Sequence, residues 1–173
     1  MKLVRWIRFT WDLSMLPALK TGAAQYAVRM ATPEDEKSVR SVISSAFSLD
    51  MDWSDTLKNL RDHFEAQIDK VFTEKEVPCV VILHGSRIIG ASSMDTTKEA
   101  ENNLLSGPCV LNEYRNRGLG TTLLHRSLSL LRDAGLGKAR GVTKYNVPAA
   151  KFIYPKFNSV SEQFDIEPEL ARL

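Results

Sequence analysis

The chain has little of what staples small secreted proteins together. Of its 173 residues only Cys79 and Cys109 are cysteines, so a disulfide scaffold is excluded. The three histidines, His63, His84 and His125, stand far apart and offer no zinc-ligand spacing, so no metal is expected. Only 9 Gly and 7 Pro are present, which removes collagen-like and low-complexity classes. No apolar run approaches the ~20 residues that cross a bilayer, and no membrane partner is expected. The N-terminus starts basic like a signal peptide. Arg5, Arg8 and Asp12 interrupt its apolar stretch, however, and no small-residue cleavage site follows. Free thiols without an export signal fit a reducing cytoplasm.

What is present suffices for a core. Hydrophobic residues make up 43% of the chain and charged residues 25%, which excludes disorder as the main state. The length suits one domain, expected over 25–173, behind an N-terminal extension, 1–24. In that extension Leu3, Ile7, Phe9, Trp11 and Leu13 lie on one side of an alternation broken only by Arg5, as in an aromatic-rich strand. The same stretch, with Trp6 and Trp11, also reads as a membrane-surface helix. On the strand reading it adds to an open edge of its own sheet or across a homodimer interface, because so apolar a patch is rarely left in water.

The net charge is only +2, but it is unevenly spread. Residues 107–156 carry nine basic side chains against Glu113 and Asp133, an excess of seven. Such an excess suits either an anionic ligand or a solvated basic surface. No nucleic-acid reading motif accompanies it, so nucleic acid is not expected.

Periodicity orders the rest. Gln25 to Met30 reads as a strand, and Thr32-Pro33 as the cap and first residue of a helix whose stripe is Val39, Val42, Ile43, Ala46 and Phe47. A second helix is expected from about Ser54 to Glu74, with Asp50, Asp52 and Asp55 clustered before it. Cys79 to Met94 reads as a hairpin around Gly85-Ser86. Leu104 to Asn112 reads as a strand that Gly107-Pro108 must bulge or place at an edge. A helix over about 119–134, a strand over 138–143, a short helix over 148–153 and a strand over 160–166 complete the order. This is a mixed α+β chain with one strand–helix–strand crossover.

The chemistry concentrates at Val110 to Leu124, where a strand, a glycine-containing turn and a helix start follow one another. A helix start presents unpaired N–H groups and partial positive charge, which suit a pyrophosphate. Gly118 and Gly120 remove Cβ atoms there, and Arg115 and Arg117 can add charge-assisted hydrogen bonds. The Walker loop, the dinucleotide fingerprint and the hydrolase nucleophile elbow are all absent. An unrelated nucleotide-phosphate binder could still use such a loop.

The run Arg115-Asn116-Arg117-Gly118-Leu119-Gly120, set in Val110 to Gly120, resembles the phosphate loop of the GNAT superfamily of acyl-CoA-dependent N-acetyltransferases. The later run Gly141 to Asn146, followed by Ala149, Ala150, Phe152 and Tyr154, is similar to that family's next motif. The resemblance covers about residues 25–160. It implies a mostly antiparallel mixed sheet flanked by about four helices, with a splay beside the bulged strand. It implies acetyl-CoA as co-substrate and a primary amine as acceptor. By the same resemblance Cys109 and Val110 meet the pantetheine arm. The pyrophosphate lies on the amides of Arg115, Asn116, Arg117, Gly118, Leu119, Gly120 and Thr121. Asn146 reaches the cofactor from the other side, and Tyr154 gives a proton to the departing thiolate.

Direct attack of an amine on a thioester needs no protein nucleophile. It needs a fixed donor for developing negative charge and an acceptor for the amine's proton. Glu113 and Asp95 are the weak candidates for that acceptor. Asn112 stands where the family has Pro, and Pro155 disfavours helical geometry at Tyr154. Phe157-Asn158 replaces the usual Gly-Phe, and Asn tolerates a left-handed turn. A catalytically silent CoA-binding sensor is the alternative reading.

Overall fold

Alternating large apolar and polar side chains place the first strand where periodicity expected one. In the computed structural model, which describes residues 4–20, 22, 24–48 and 57–166, strand β1 is Val4–Asp12. Further strands are β2 (Tyr26–Met30), β3 (Cys79–His84), β4 (Arg87–Ser93), β5 (Cys109–Val110), β6 (Lys138–Lys144) and β7 (Val160–Ile166). The helices are α1 (Glu36–Ser48), α2 (Leu57–Val71) and α3 (Leu119–Asp133), with a π-helical turn over Ala149–Ile153. The cluster Asp50, Asp52 and Asp55 lies outside the described residues. None of the described helices is long and apolar enough to cross a membrane.

The strands form two antiparallel sheets, β2-β3-β4-β5 and β6-β1-β7. β1 does not extend an open edge. It runs between β6 and β7, pairing Trp6 with Lys144 on one side and with Phe164 on the other. A middle position hydrogen-bonds both edges of a strand, and only an edge strand carries unpaired groups. Ile7, Phe9 and Trp11 point to one face and are buried, as are Trp6 on the other face and Leu13 beyond the strand.

The expected strand over Leu104 to Asn112 is cut down to Cys109–Val110. Pro108 has no N–H to give a ladder, and the cis Gly107–Pro108 peptide precedes the short strand. Upstream, Leu104 meets Met94 in an isolated bridge. The Asn103 and Leu104 amides both donate to Arg140 O, at 2.8 and 3.0 Å. The Arg140 amide in turn donates to Asn103 Oδ1 at 3.0 Å. These bonds tie the two sheets together at one end. β5 pairs only with β4, so a wedge opens between β5 and β6.

α1 buries Val39, Val42, Ile43 and Ala46, and α3 buries Leu123, Leu124, Leu128 and Leu131. α1 and α2 are joined by Arg40, whose guanidinium donates to Glu36 on its own helix and to Glu65 and Asp69 on α2. Phe47 and Phe64 stack across the same pair with ring centroids 4.1 Å apart. Thr32 and Pro33 stand at the head of α1 as expected, with a 3-10 turn, Pro33–Asp35, before the α-helix proper.

Candidate active site

The wedge is the inner end of a cavity of about 700 Å³, a volume typical of small-molecule sites. Its outer end is the start of α3. Gly118 there adopts φ +76, a left-handed conformation that side chains rarely accept. Around it the amides of Asn116 to Thr121 make no hydrogen bond among the described residues, whereas Thr122 N already donates to Gly118 O at 3.1 Å. Gly120 has a different task. A Cβ there would lie 2.6 Å from Ile153 Cδ1, so the bare glycine lets the π-helical turn close against α3.

Cys109, Val110, Arg115, Asn116, Gly118, Leu119, Gly120, Thr121 and Tyr154 all line this one cavity. Arg117 and Asn146 do not. Arg117 turns outward, donating to Tyr26 Oη and Glu113 O, both at 3.2 Å, with its guanidinium 5.2 Å from the Tyr114 ring centre. Asn146 is exposed on the turn after β6, and Val147 and Pro148 form the wall in its place. The Arg115 guanidinium donates to Ala46 O at 3.1 Å and to Val110 O at 3.4 Å, pinning the end of α1 and the exit of β5 to the loop. The sequence pattern offers both guanidiniums as further donors to a phosphate on the loop amides; a pattern of charge does not reveal which backbone carbonyls lie in their reach.

Tyr154 is helical (φ −63, ψ −28) despite Pro155. The local preference is overruled by the wide π-turn, closed by the Tyr154 amide donating to Ala149 O at 2.9 Å, and by tertiary packing. Its ring meets Phe9 and Trp11 of β1 edge-to-face, at 5.4 and 5.7 Å. Trp11 Nε1 donates to Lys156 O at 3.0 Å, which fixes the turn that follows. The Tyr154 hydroxyl donates to Gly107 O at 2.6 Å. Burial pushes its pKa well above the ordinary tyrosine value, so the phenol keeps its proton. Phe157 and Asn158 both take positive φ, 61 and 58, at the bend where the chain leaves this turn.

Beyond the wedge the cavity is walled by Phe47, Phe64, Gln67, Asp95, Glu101 and Asn102. Gln67 Oε1 and Asn102 Oδ1 are buried there without a hydrogen-bond donor. Asp95 Oδ1 accepts from the Thr97 amide and hydroxyl at 2.8 and 2.6 Å. Glu101 accepts from Arg8 of β1 at 3.2 Å. Of these six only Asp95 was singled out from sequence as a site residue, since the rest come from three separate segments with no shared motif. Glu113 lies elsewhere, ion-paired to Arg87 at 3.0 Å on the surface. Its carboxyl sits below the usual range, first through a hydrogen bond from its own amide.

Both cysteines are buried, and burial pushes each thiol up to about 12. Cys109 on the cavity wall is therefore a small apolar residue, with no thiolate for attack. In the native protein neither thiol should react with a disulfide reagent at pH 8, and both should react after denaturation. Rapid native labelling of Cys109 would contradict its burial. No cluster of three metal-binding side chains occurs among the described residues.

The sequence pattern of the acetyltransferase (GNAT) family matches residues 40–156, more than half of the chain. No curated protein matches it significantly. Among solved structures, a GCN5-related N-acetyltransferase from Sphaerobacter thermophilus superposes with TM-score 0.61 at 15% identity, covering 96% of this chain and 53% of its own. One from Kribbella flavida gives 0.59 at 11% identity, with 95% and 59% covered. A conserved protein of unknown function from Staphylococcus epidermidis gives 0.62 at 12%, with 95% and 60% covered. At these identities the likeness is one of fold, and the chain spans little more than half the length of each structure.

Proposed function

The chain belongs to the GNAT family of acetyltransferases, and from that premise we propose that it is an acetyl-CoA-dependent N-acetyltransferase acting on a primary amine. The observation that carries this reading is one cavity joining a row of unpartnered helix-start amides to an open wedge between two strands. The amides of Asn116 to Thr121 suit a pyrophosphate, and the open edge of Cys109 and Val110 suits an extended amide-bearing arm. Bound acetyl-CoA supplies an activated thioester for direct attack. The residues of the chain then bind, orient and manage protons.

Asp95 and Glu101, on the cavity wall beyond the wedge, are the carboxylates for taking the amine's proton directly or through water. Gln67 Oε1 and Asn102 Oδ1 are the unpaired acceptors that can orient an N–H donor. Tyr154 holds a proton at the wedge, and giving it to a departing sulfur requires its hydroxyl to turn away from Gly107 O. That hydrogen bond also favours a second reading, a CoA-binding protein without turnover in which Tyr154 only braces the Gly107 backbone.

Release of free thiol from acetyl-CoA over a panel of amines separates the two. On the enzyme reading, Tyr154→Phe cuts turnover by about 10²-fold with CoA affinity little changed. Because the phenol titrates above its ordinary value, loss of activity below pH 10 must come from another group. CoA binding without thiol release for any amine would favour the silent protein. Turnover unchanged in Tyr154→Phe would remove the tyrosine from the mechanism.

A further inference from the structure

The loop that carries the free amides has an unfavourable backbone. Asn116 takes φ 62 and Gly118 φ 76, so a left-handed residue stands on each side of Arg117. Glycine accepts that conformation freely, whereas asparagine adopts it at a cost. Left-handed residues in such a turn gather successive N–H groups on one side, as an anion requires. Aligned N–H dipoles also repel one another, so the arrangement needs support from the rest of the chain.

That support comes from the outer side of the loop. The Arg117 guanidinium donates to Glu113 O, four residues back across the turn, and to Tyr26 Oη of β2, both at 3.2 Å. It lies 5.2 Å from the centre of the Tyr114 ring. Tyr114 is itself fixed: its hydroxyl is 3.0 Å from His84 Nδ1 at the end of β3, and the Tyr26 ring meets it edge-on at 6.4 Å. Arg87, at the start of β4, pairs with the Glu113 carboxylate at 3.0 Å. Three neighbouring strands of the first sheet thus grip the loop from outside, while Arg115 pins its inner side to Ala46 O and Val110 O. Tyr26 does not line the cavity. Its hydroxyl bears on the loop only through Arg117.

We propose that Arg117 is a positioning residue for the acyl donor and that Tyr26 is its anchor. The link from Tyr26 through Arg117 to Glu113 O holds Asn116 and Gly118 left-handed, so the amides of Asn116 to Thr121 are arrayed before a pyrophosphate arrives. This rests on the CoA-dependent reading above. A loop already in its binding form needs no rearrangement, whereas a loosened loop lowers the affinity in proportion to the time it spends in other forms.

Calorimetric titration with CoA tests the link without any acceptor amine. Tyr26→Phe removes only the hydroxyl that accepts from Arg117 and leaves every charge near the loop in place. It is expected to weaken CoA binding about fivefold, the loss of one hydrogen bond, at an unchanged melting temperature. Arg117→Ala, which loses the bond to Glu113 O as well, is expected to weaken it about tenfold or more. Adding Tyr26→Phe to Arg117→Ala should then cost nothing further, because the two side chains act as one link. Losses that instead multiply in the double variant would show that the two act independently and overturn the link. If the parent binds CoA and Tyr26→Phe binds it equally well, whatever its melting temperature, the positioning role is refuted and the donor assignment stands. If the parent binds no CoA, the donor assignment itself falls and takes the positioning role with it.

Discussion

Deletion of residues 1–20 is expected to abolish cooperative folding altogether. β1 hydrogen-bonds β6 along one edge and β7 along the other, with seven residue pairs to each. Without it neither neighbour has a partner in its sheet. The deletion also strips Trp6, Phe9, Trp11 and Leu13 from the core, each no more than 2% exposed. Truncating one buried tryptophan costs about 3–5 kcal/mol, against a total stability of about 5–15 kcal/mol for a whole domain. Trp11→Ala alone should therefore lower the melting temperature markedly, and it also frees Lys156 O and one side of the Tyr154 ring. Thermal unfolding followed by circular dichroism is the measurement. A truncated protein that still melts cooperatively near the parent temperature would show that β1 is dispensable and its central position wrong.

Gly120→Glu is expected to abolish measurable CoA binding. Its Cβ enters space now held by Ile153 Cδ1, so the π-helical turn must give way. The added carboxylate stands among the amides proposed for the pyrophosphate, where like charges repel across a partly desolvated space. A loss of about 10²-fold or more is expected from calorimetry. Gly120→Ala separates the two causes: it adds the Cβ without the charge, and the displaced atom is the end of a flexible side chain. Alanine should cost only a modest part of the affinity and a few degrees of stability. If Gly120→Glu binds CoA as the parent does, the anion site is not at the start of α3.

Elements with strong local signals were readable one at a time. The stripe of α1, the hairpin at Gly85-Ser86, the glycine-opened start of α3 and the strand Val160–Ile166 all depend on spacing within a few residues. So does the concentration of unpaired amides before Thr122, since any helix start leaves them. Local rules failed where distant groups decide. Pro155 argued against a helical Tyr154, yet contacts from β1, more than 140 residues earlier, hold the ring in place. The Arg117 guanidinium, which the charge pattern offers to a phosphate, meets Tyr26 and Tyr114, while the Arg117 amide stays unpaired in the loop.

The amino-acid sequence by itself thus determined the kinds of elements, the glycine-opened turn before α3 and the family, because these are written in contiguous residues. Only the tertiary structure decided that β1 sits in the middle of a sheet and that the wedge is tied shut at Asn103 and Arg140. It alone gathered Phe47, Phe64, Gln67, Asp95, Glu101 and Asn102 around one space. These are matters of which backbone edges and side chains meet across the chain. No local spacing encodes them, since each depends on the burial and hydrogen bonding of partners tens of residues away.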